Sequence, residues 1–173
     1  MSGRIRIKEA TTLQKTHRVS KKIRIRRSTL RDIDVLVSHR RKMWEEIRRS
    51  SRGQHLIKDL PYRRWLLDLI PKRRFIGFLA VASDGKVVGS GGVWLRDEHP
   101  KPDSKRTTVP YLLSMYTVLE FRRNGVAASI VKEAMNWCKK KGYNIMRLNA
   151  SKMGRRVYSD LGWERTWEMR AHL

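Results

Sequence analysis

The chain has 173 residues, of which 40% are hydrophobic, and its 40 Lys and Arg against 16 Asp and Glu give a net charge of +24. This composition fits one domain with a buried core and favours anionic partners such as phosphorylated cofactors, nucleic acid or membrane head groups. The single cysteine, Cys138, excludes an intrachain disulfide and a cysteine-based metal cluster, and no apolar run reaches the roughly 20 residues of a membrane helix.

The first 21 residues carry many basic and few large apolar side chains, so they bury too little surface to offset the cost of ordering the chain. We predict a mobile basic tail over 1–21 and one domain over 22–173. The alternation in "RIRIK" leaves a short edge strand as an alternative for part of the tail. The tail also lacks the apolar stretch of a signal peptide, and the cysteine content fits a reducing compartment, so we expect a cytoplasmic protein without a membrane partner.

Alternating apolar residues predict a first, half-buried strand that includes Ile23 and Ile25. Ser28 or Thr29 then offers a side-chain cap for a long helix. The apolar face of this helix is formed at helical spacing by Leu30, Ile33, Leu36, Val37, Met43, Trp44 and Ile47. His39 lies at the flank of this face, and we expect it to be solvated or at the boundary of the core.

"SSRGQ" predicts the end of this helix near Gly53, and a second helix is predicted to begin at Pro61, whose fixed φ suits a first turn. This helix should end before Pro71. Two apolar runs then flank Asp84 and Gly85, a dipeptide that readily takes the positive φ values of a tight turn. The sequence therefore predicts two antiparallel strands joined as a hairpin.

Residues 96–110 are rich in proline and charge and show no periodicity, which predicts an exposed loop. The apolar run over 111–119 is typical of a central strand buried on both faces. A helix is predicted after Gly125 and ends at Gly142. Its two buried rows are Val126, Ile130, Ala134 and Cys138, and Ala127, Val131 and Met135.

The last third of the chain predicts three short elements. "YNIMRLNAS" has the composition of a strand, "GRRVYSDLGW" that of a short helix closed by Gly162, and "ERTWEMRAHL" that of a final strand. The predicted order is β-α-α-β-β-β-α-β-α-β, without a repeat. We expect one α/β domain.

The stretch "FRRNGVAASI", residues 121–130, places a basic turn between a buried strand and a helix. About four N–H groups at a helix start lack intrahelical acceptors, and the peptide dipoles add partial positive charge there. Gly125 allows an anion to approach the backbone, Ala127 and Ala128 keep the first turn uncluttered, and Arg122 and Arg123 add attraction. The turn can hold a pyrophosphate, although a helix start without a ligand is the alternative.

Four segments, in order, resemble the motifs of the GNAT superfamily of N-acyltransferases. "IRIRRSTLRDID" is similar to its first strand and helix, "VASDGKVVGSGGVWL" to its central hairpin, "MYTVLEFRRNGVAASIV" to its cofactor-binding motif with the spacing R-x-x-G-x-A, and "LNASKMGRRVYSDLGWERTWEM" to its C-terminal motif. The resemblance covers nearly the whole chain beyond the tail. It implies an α/β (α+β) fold with a mixed, mostly antiparallel central sheet, flanked by helices and splayed between strands 4 and 5.

The resemblance also implies which residues bind acetyl-CoA, the expected cosubstrate. The pantetheine arm pairs with the backbone of Met115, Tyr116 and Thr117. The pyrophosphate binds at the turn and the helix start, which comprise Arg122, Arg123, Asn124, Gly125, Val126, Ala127 and Ala128. The thioester slot is lined by Asn149 and Ser151. Tyr158 matches the tyrosine that faces the CoA sulfur in many relatives. Two positions depart from the family pattern: Ser114 replaces a frequent asparagine, and Leu119 replaces a frequent proline.

Acyl transfer to an amine needs a neutral nucleophile, a polarised thioester carbonyl and a proton for the departing thiolate. A backbone N–H near Tyr116 or Thr117 can polarise the carbonyl, and the Tyr158 phenol can protonate the thiolate. The sequence indicates no single base. The candidates are Glu45, Glu46, Asp97, Glu98 and Glu120, and the alternative for each of them is a solvated carboxylate.

Two classes of function remain at this point. The first is an acetyl-CoA-dependent N-acetyltransferase that acts on a small amine, an amino acid or a protein amine, as a monomer or homodimer. The second is a basic protein that binds nucleic acid or the ribosome on the same scaffold, with the tail over 1–21 contacting the polyanion. No histidine pair has metal-ligand spacing, so we expect no metal, and Cys138 is predicted to be a core residue.

Overall fold

The computed structural model describes residues 22–49, 58–100, 102 and 106–171, and these residues form five β-strands and four α-helices. The elements are β1 (Ile23–Arg27), α1 (Ile33–Arg49), α2 (Asp59–Leu69), β2 (Phe75–Ala82), β3 (Val87–Asp97), β4 (Thr108–Thr117), α3 (Val126–Lys140), β5 (Arg147–Leu148) and α4 (Arg155–Ser159). The predicted tail, its alternative edge strand and the predicted break near Gly53 lie outside the described residues. The division into a tail and one domain stays a prediction.

The segment that leads into α1 begins with a side-chain cap, whereas α2 begins without one. Thr29 caps a 3-10 turn, Leu30–Asp32, that leads into α1: its hydroxyl accepts from Arg31, and the Asp32 carboxylate accepts from the Thr29 N–H. This confirms the predicted cap. α2 begins at Asp59 and not at the predicted Pro61. Pro61 fits inside the first turn, because the first amides of a helix need no intrahelical acceptor. None of the helices in the described ranges is long and apolar enough to cross a membrane.

The strands form one sheet in the order β1-β2-β3-β4-β5. Strands β1 to β4 pair antiparallel, and β4 pairs with β5 in parallel. This confirms the expected mixed, mostly antiparallel sheet. Its two faces are covered by separate buried clusters, one built on α3 and the other on α1 and α2. The turn at Gly85, with a φ of 83°, joins β2 and β3 as the predicted hairpin.

The ends of the sheet differ from the predicted ones. β3 extends to Asp97, which pairs with Thr108 of β4, so the loop predicted over 96–110 is shorter at both ends. No strand forms over 164–171, and the predicted final strand is therefore wrong for the described residues. The reason is the shortness of β5, Arg147–Leu148, which leaves no long edge for a further strand to pair with.

Strands β4 and β5 diverge after only two residue pairs, Tyr111↔Arg147 and Leu112↔Leu148. From Leu113 to the end of β4, no described strand lies on the β5 side. This confirms the expected splay between the fourth and fifth strands. It leaves the backbone groups along one edge of β4 open to a ligand.

A β-bulge lies on this open part of β4. Two residues, Ser114 and Met115, lie opposite the single Gly91 of β3, and Ser114 has a φ of 53°, in the left-handed region. The extra residue shifts the alternation of side chains. Met115 packs beside Gly91 on the face covered by α3, whereas Tyr116 faces α1, where its ring centroid lies 5.0 Å from that of His39.

Candidate functional site

The N-terminus of α3 opens onto free space. Gly125 caps it with a φ of 75°, and a Cβ at this position would meet no other atom within 4 Å. The first amide with an acceptor inside the helix is that of Ser129, which donates to the Gly125 carbonyl at 2.9 Å. The amides of Val126, Ala127 and Ala128 therefore begin the helix without intrahelical acceptors, and the helix dipole adds partial positive charge. This end of α3 can bind an anion.

The turn ahead of Gly125 holds the remaining predicted phosphate residues. Arg123, with a φ of 57°, and Asn124 are both exposed on this turn. Two residues with positive φ within three positions make the turn tight. The charge of Arg123 therefore lies in solvent next to the helix start.

The Arg122 side chain has a different environment. Its Nε donates to the Thr117 carbonyl at 2.9 Å, and one terminal nitrogen donates to both carboxylate oxygens of Glu46, at 2.7 and 2.6 Å. The guanidinium also lies over the Tyr116 ring, 5.6 Å from its centroid. Arg122 thus links β4, α1 and the turn that precedes α3.

The backbone at the end of β4 has a defined orientation. The Val118 N–H donates to the Val88 carbonyl of β3 at 2.9 Å. Because N–H and C=O groups alternate in direction along a strand, Thr117 directs its own N–H and C=O away from β3, towards the side where β5 has diverged. Of the two predicted backbone donors, the Tyr116 N–H faces β3, together with the Tyr116 carbonyl. The donor for a ligand is therefore the Thr117 N–H.

Tyr158 of α4 lies on the face of the sheet that α3 covers. Its ring is partly buried against the same cluster as Met115 and lies 5.9 Å from the ring of Trp163. Burial raises the pKa of the Tyr158 phenol to about 12, so this group is protonated at neutral pH. It can donate a proton or a hydrogen bond.

Two buried polar atoms near these residues lack a hydrogen-bond partner among the described residues: Thr117 Oγ1 and Trp163 Nε1. Buried hydroxyl and indole groups are normally hydrogen-bonded, because an unmade bond costs about 1–3 kcal/mol. Trp163 packs against the cluster that includes Tyr158 and Met115. The Thr117 hydroxyl, at the end of the open edge of β4, fits a ligand with carbonyl or hydroxyl groups.

The two residues predicted to line the thioester slot follow β5. Asn149 is exposed directly after this strand. Ser151 uses its hydroxyl locally, since its Oγ accepts from the Gly154 N–H at 3.2 Å in the turn that leads into α4. The structure thus places both residues at the end of β5, with Ser151 supporting the turn into α4.

His39 is buried, and the expectation that it is solvated or at the boundary of the core is wrong. Its exposed fraction is 4%, and its Nδ1 lies 2.9 Å from the Oγ of Ser90, which is also buried. Burial, with the nearby charge of Lys42, lowers the pKa of His39 to about 4, so the ring is neutral at pH 7. His39 therefore belongs to a polar contact between α1 and β3, beside Tyr116, and is not a solvated histidine.

Three of the five candidate carboxylate bases form ion pairs: Glu46 with Arg122, Asp97 with Arg74 at 2.9 Å, and Glu98 with Arg147. Glu45 lies 4.0 Å from Arg41 at an exposed i,i+4 position. The oxygens of the three paired carboxylates are already engaged by guanidinium groups, and Glu120 is exposed. The geometry therefore singles out none of them.

The described residues contain no group of three or more His, Cys, Asp or Glu that is suited to a metal ion. Cys138 is buried in the cluster of α3, as predicted, and burial raises the pKa of its thiol to about 12.

Known proteins share this architecture. The family model described as acetyltransferase (GNAT) family matches residues 40–163. No match is found among curated proteins. A predicted acetyltransferase from Clostridium acetobutylicum, solved with acetyl-CoA, is 22% identical with a TM-score of 0.78 and covers 88% of this chain and 96% of its own.

Two further solved structures share the fold. An N-acetyltransferase from Ralstonia eutropha is 22% identical, with a TM-score of 0.76, over 88% of this chain and 99% of its own. An aminoglycoside N-acetyltransferase in complex with CoA is 18% identical, with a TM-score of 0.69, over 88% of this chain and 95% of its own. At identities of 18% and 22%, the similarity to these structures shows a shared fold and nothing more.

The buried, neutral state of His39 predicts a pH dependence of stability. The pKa of a histidine is near 6.5 when solvated and about 4 for His39, so the unfolded chain binds the proton more tightly than the folded one. This contribution is fully present above pH 6.5 and is lost as the pH falls towards 4, by at most about 1.4 kcal/mol per pH unit. Urea unfolding at pH 7 and pH 5 should show a smaller stability difference for His39→Gln than for the wild type.

The matched control is His99→Gln, because His99 is exposed. This variant should keep the pH dependence of the wild type. An unchanged pH dependence in His39→Gln would contradict the buried, neutral state.

Proposed function

Because the chain belongs to the acetyltransferase (GNAT) family, we propose that it transfers the acetyl group of acetyl-CoA to an amine. The observation that carries this proposal is the pairing of an open strand edge, at Thr117 of β4, with the open N-terminus of α3 a few residues later. A strand edge binds an extended chain of amides, and a helix start binds phosphate. The pantetheine arm and the pyrophosphate of acetyl-CoA have these two chemistries.

The proposed cofactor contacts extend along one continuous segment. The pantetheine arm lies along the backbone of Met115, Tyr116 and Thr117, where β5 has left the edge of β4 free. The pyrophosphate accepts from the amides between Arg123 and Ala128, with Gly125 leaving room for it. The unsatisfied Thr117 Oγ1, at the end of this edge, supports a ligand at this place.

Acetyl-CoA supplies the activated acyl carbon. A nitrogen–carbon bond to the acetyl group forms as the carbon–sulfur bond breaks. The amine nitrogen releases a proton to water and the thiolate gains one, so the products are an amide and a free thiol. The Thr117 N–H, directed away from β3, donates to the carbonyl oxygen as negative charge develops. The protonated Tyr158 phenol is the proposed proton donor to the sulfur. Asn149 and Ser151 complete the slot after β5.

The acceptor class is proposed on charge. The net charge of +24 slows the approach of polycations, so small monoamines, amino acids and protein amines are favoured over polyamines. The aminoglycoside N-acetyltransferase shares the fold at 18% identity, so its acceptor does not indicate the acceptor of this chain.

The proposed function is tested by binding and turnover together. Acetyl-CoA at about a hundred times its Kd should add roughly 2.7 kcal/mol to the unfolding free energy, which raises Tm by several degrees. Release of free thiol should follow when monoamines, amino acids, peptides and polyamines are offered in turn. A folded protein whose Tm does not respond to millimolar acetyl-CoA would contradict the proposal. RNA binding with a steep salt dependence and no acyl transfer would favour the polyanion-binding alternative.

The phosphate site predicts unequal effects of two neighbouring substitutions. Gly125→Val puts a side chain into the open space at the helix start and strains the backbone, so the Kd of CoA should rise about tenfold or more. Arg123→Ala removes one exposed charge, so the Kd should rise only about two- to fivefold. Isothermal titration calorimetry measures both values.

The matched control for the strain is Gly85→Val, because Gly85 also has a positive φ and open space around it, in the β2–β3 turn. It should lower Tm without changing the Kd of CoA. A larger loss of affinity in Arg123→Ala than in Gly125→Val would show that guanidinium, and not amide, binding dominates.

The role of Tyr158 predicts a loss of rate without a loss of fold. Tyr158→Phe keeps the ring against Trp163 but removes the phenol proton, so kcat should fall about 100-fold or more where the chemical step limits the rate. Tyr143→Phe is the control, since it removes a hydroxyl bonded to Thr108, 3.1 Å away, in another part of the sheet. If Tyr158→Phe turns over like the control, Tyr158 is not the acid.

A further inference from the structure

The peptide unit between Thr117 and Val118 is held from both sides. Its N–H, on Val118, donates to Val88 of β3 at 2.9 Å, and its C=O, on Thr117, accepts from Arg122 Nε at 2.9 Å. The first bond belongs to the sheet. The second comes from a side chain on the side of β4 where β5 has diverged, so Arg122 takes the place of a strand partner at this point.

The Arg122 guanidinium is itself fixed by α1. One terminal nitrogen donates to both oxygens of Glu46, at 2.7 and 2.6 Å, in a pair whose side chains are 28% and 22% exposed. The face of the guanidinium lies over the Tyr116 ring. A guanidinium with a carboxylate, a carbonyl and an aromatic ring around it has a narrowly defined position.

We propose that Arg122 is a positioning residue and not a phosphate ligand: its pair with Glu46 fixes the Thr117 carbonyl, and with it the conformation of Thr117, whose own N–H faces the thioester. This inference rests on the proposed function, and it names the part of α1 on which the reaction depends. Arg122 cannot donate to a phosphate with the same nitrogen without weakening its bonds to Glu46.

The two roles of Arg122 predict opposite effects of Glu46→Gln. In a positioning role, loss of the carboxylate loosens Arg122 and the Thr117 peptide, so kcat falls at least about threefold while the Kd of CoA stays the same or rises. In a ligand role, loss of the carboxylate frees the guanidinium for the phosphate and removes a negative charge, so the Kd of CoA falls. Calorimetry with CoA and steady-state turnover with acetyl-CoA measure the two quantities.

A cosubstrate without phosphate gives a second, independent readout. With S-acetylpantetheine, Arg122→Ala should lower kcat about tenfold or more, as it does with acetyl-CoA, because misplacing one donor affects the thioester in both. If Arg122 is instead a phosphate ligand, Arg122→Ala should slow turnover only with acetyl-CoA. Arg24→Ala is the control, because it removes the same charge from an exposed position of β1, at the opposite edge of the sheet, and it should leave S-acetylpantetheine turnover unchanged.

The pair also predicts coupling between its two members. The double variant Glu46→Gln with Arg122→Ala should lose no more rate than Arg122→Ala alone, because each substitution disrupts the same unit. The proposal is overturned if the two rate losses multiply, if Glu46→Gln lowers the Kd of CoA, or if Arg122→Ala and Arg24→Ala give equal rates with S-acetylpantetheine. If Arg122→Ala does not fold, Glu46→Gln, which keeps the shape of the side chain, decides by the sign of its effect. A wild-type protein that binds no CoA overturns the proposed function itself.

Discussion

Strand β4 gains one residue opposite Gly91 and loses its β5 neighbour at nearly the same point, and the arrangement of the site depends on this coincidence. Without the bulge at Ser114, every later side chain would face the opposite side of the sheet. Tyr116 would then leave α1, and the Thr117 N–H would face β3. The divergence of β5 leaves that N–H unpaired by a strand, so one irregular residue decides which backbone donor a ligand meets.

The open edge needs support from elsewhere because it lacks a strand on one side. The support comes from α1, where Glu46 holds Arg122 and His39 contacts Ser90 beside Tyr116. Each of these contacts joins residues far apart in the chain, and each is partly or fully buried. Helix α1 thus helps to fix the backbone at the end of β4.

The regular elements could be predicted from the sequence because they depend on local patterns. Apolar spacing indicated α1 and α3, Gly85 indicated the hairpin, and the position of Gly125 after a buried strand indicated the open helix start. The predicted final strand failed because alternation in "ERTWEMRAHL" supplies no edge to pair with. Whether an alternating segment becomes a strand depends on its neighbour, which local pattern does not show.

The polar contacts of the site could not be predicted, since each depends on partners distant in sequence. Among many arginines, nothing local distinguishes Arg122 as the one that meets Glu46, 76 positions away. The expectation that His39 is solvated or at the boundary of the core is wrong because Ser90, 51 positions away, supplies a buried partner that no local pattern shows.

A crystal structure with CoA bound is the direct test of the proposed cofactor site. We expect pyrophosphate oxygens within hydrogen-bond distance of the amides of Val126, Ala127 and Ala128, with the Arg122–Glu46 pair intact. A pyrophosphate bound away from the start of α3, or bound by Arg122 released from Glu46, would contradict it.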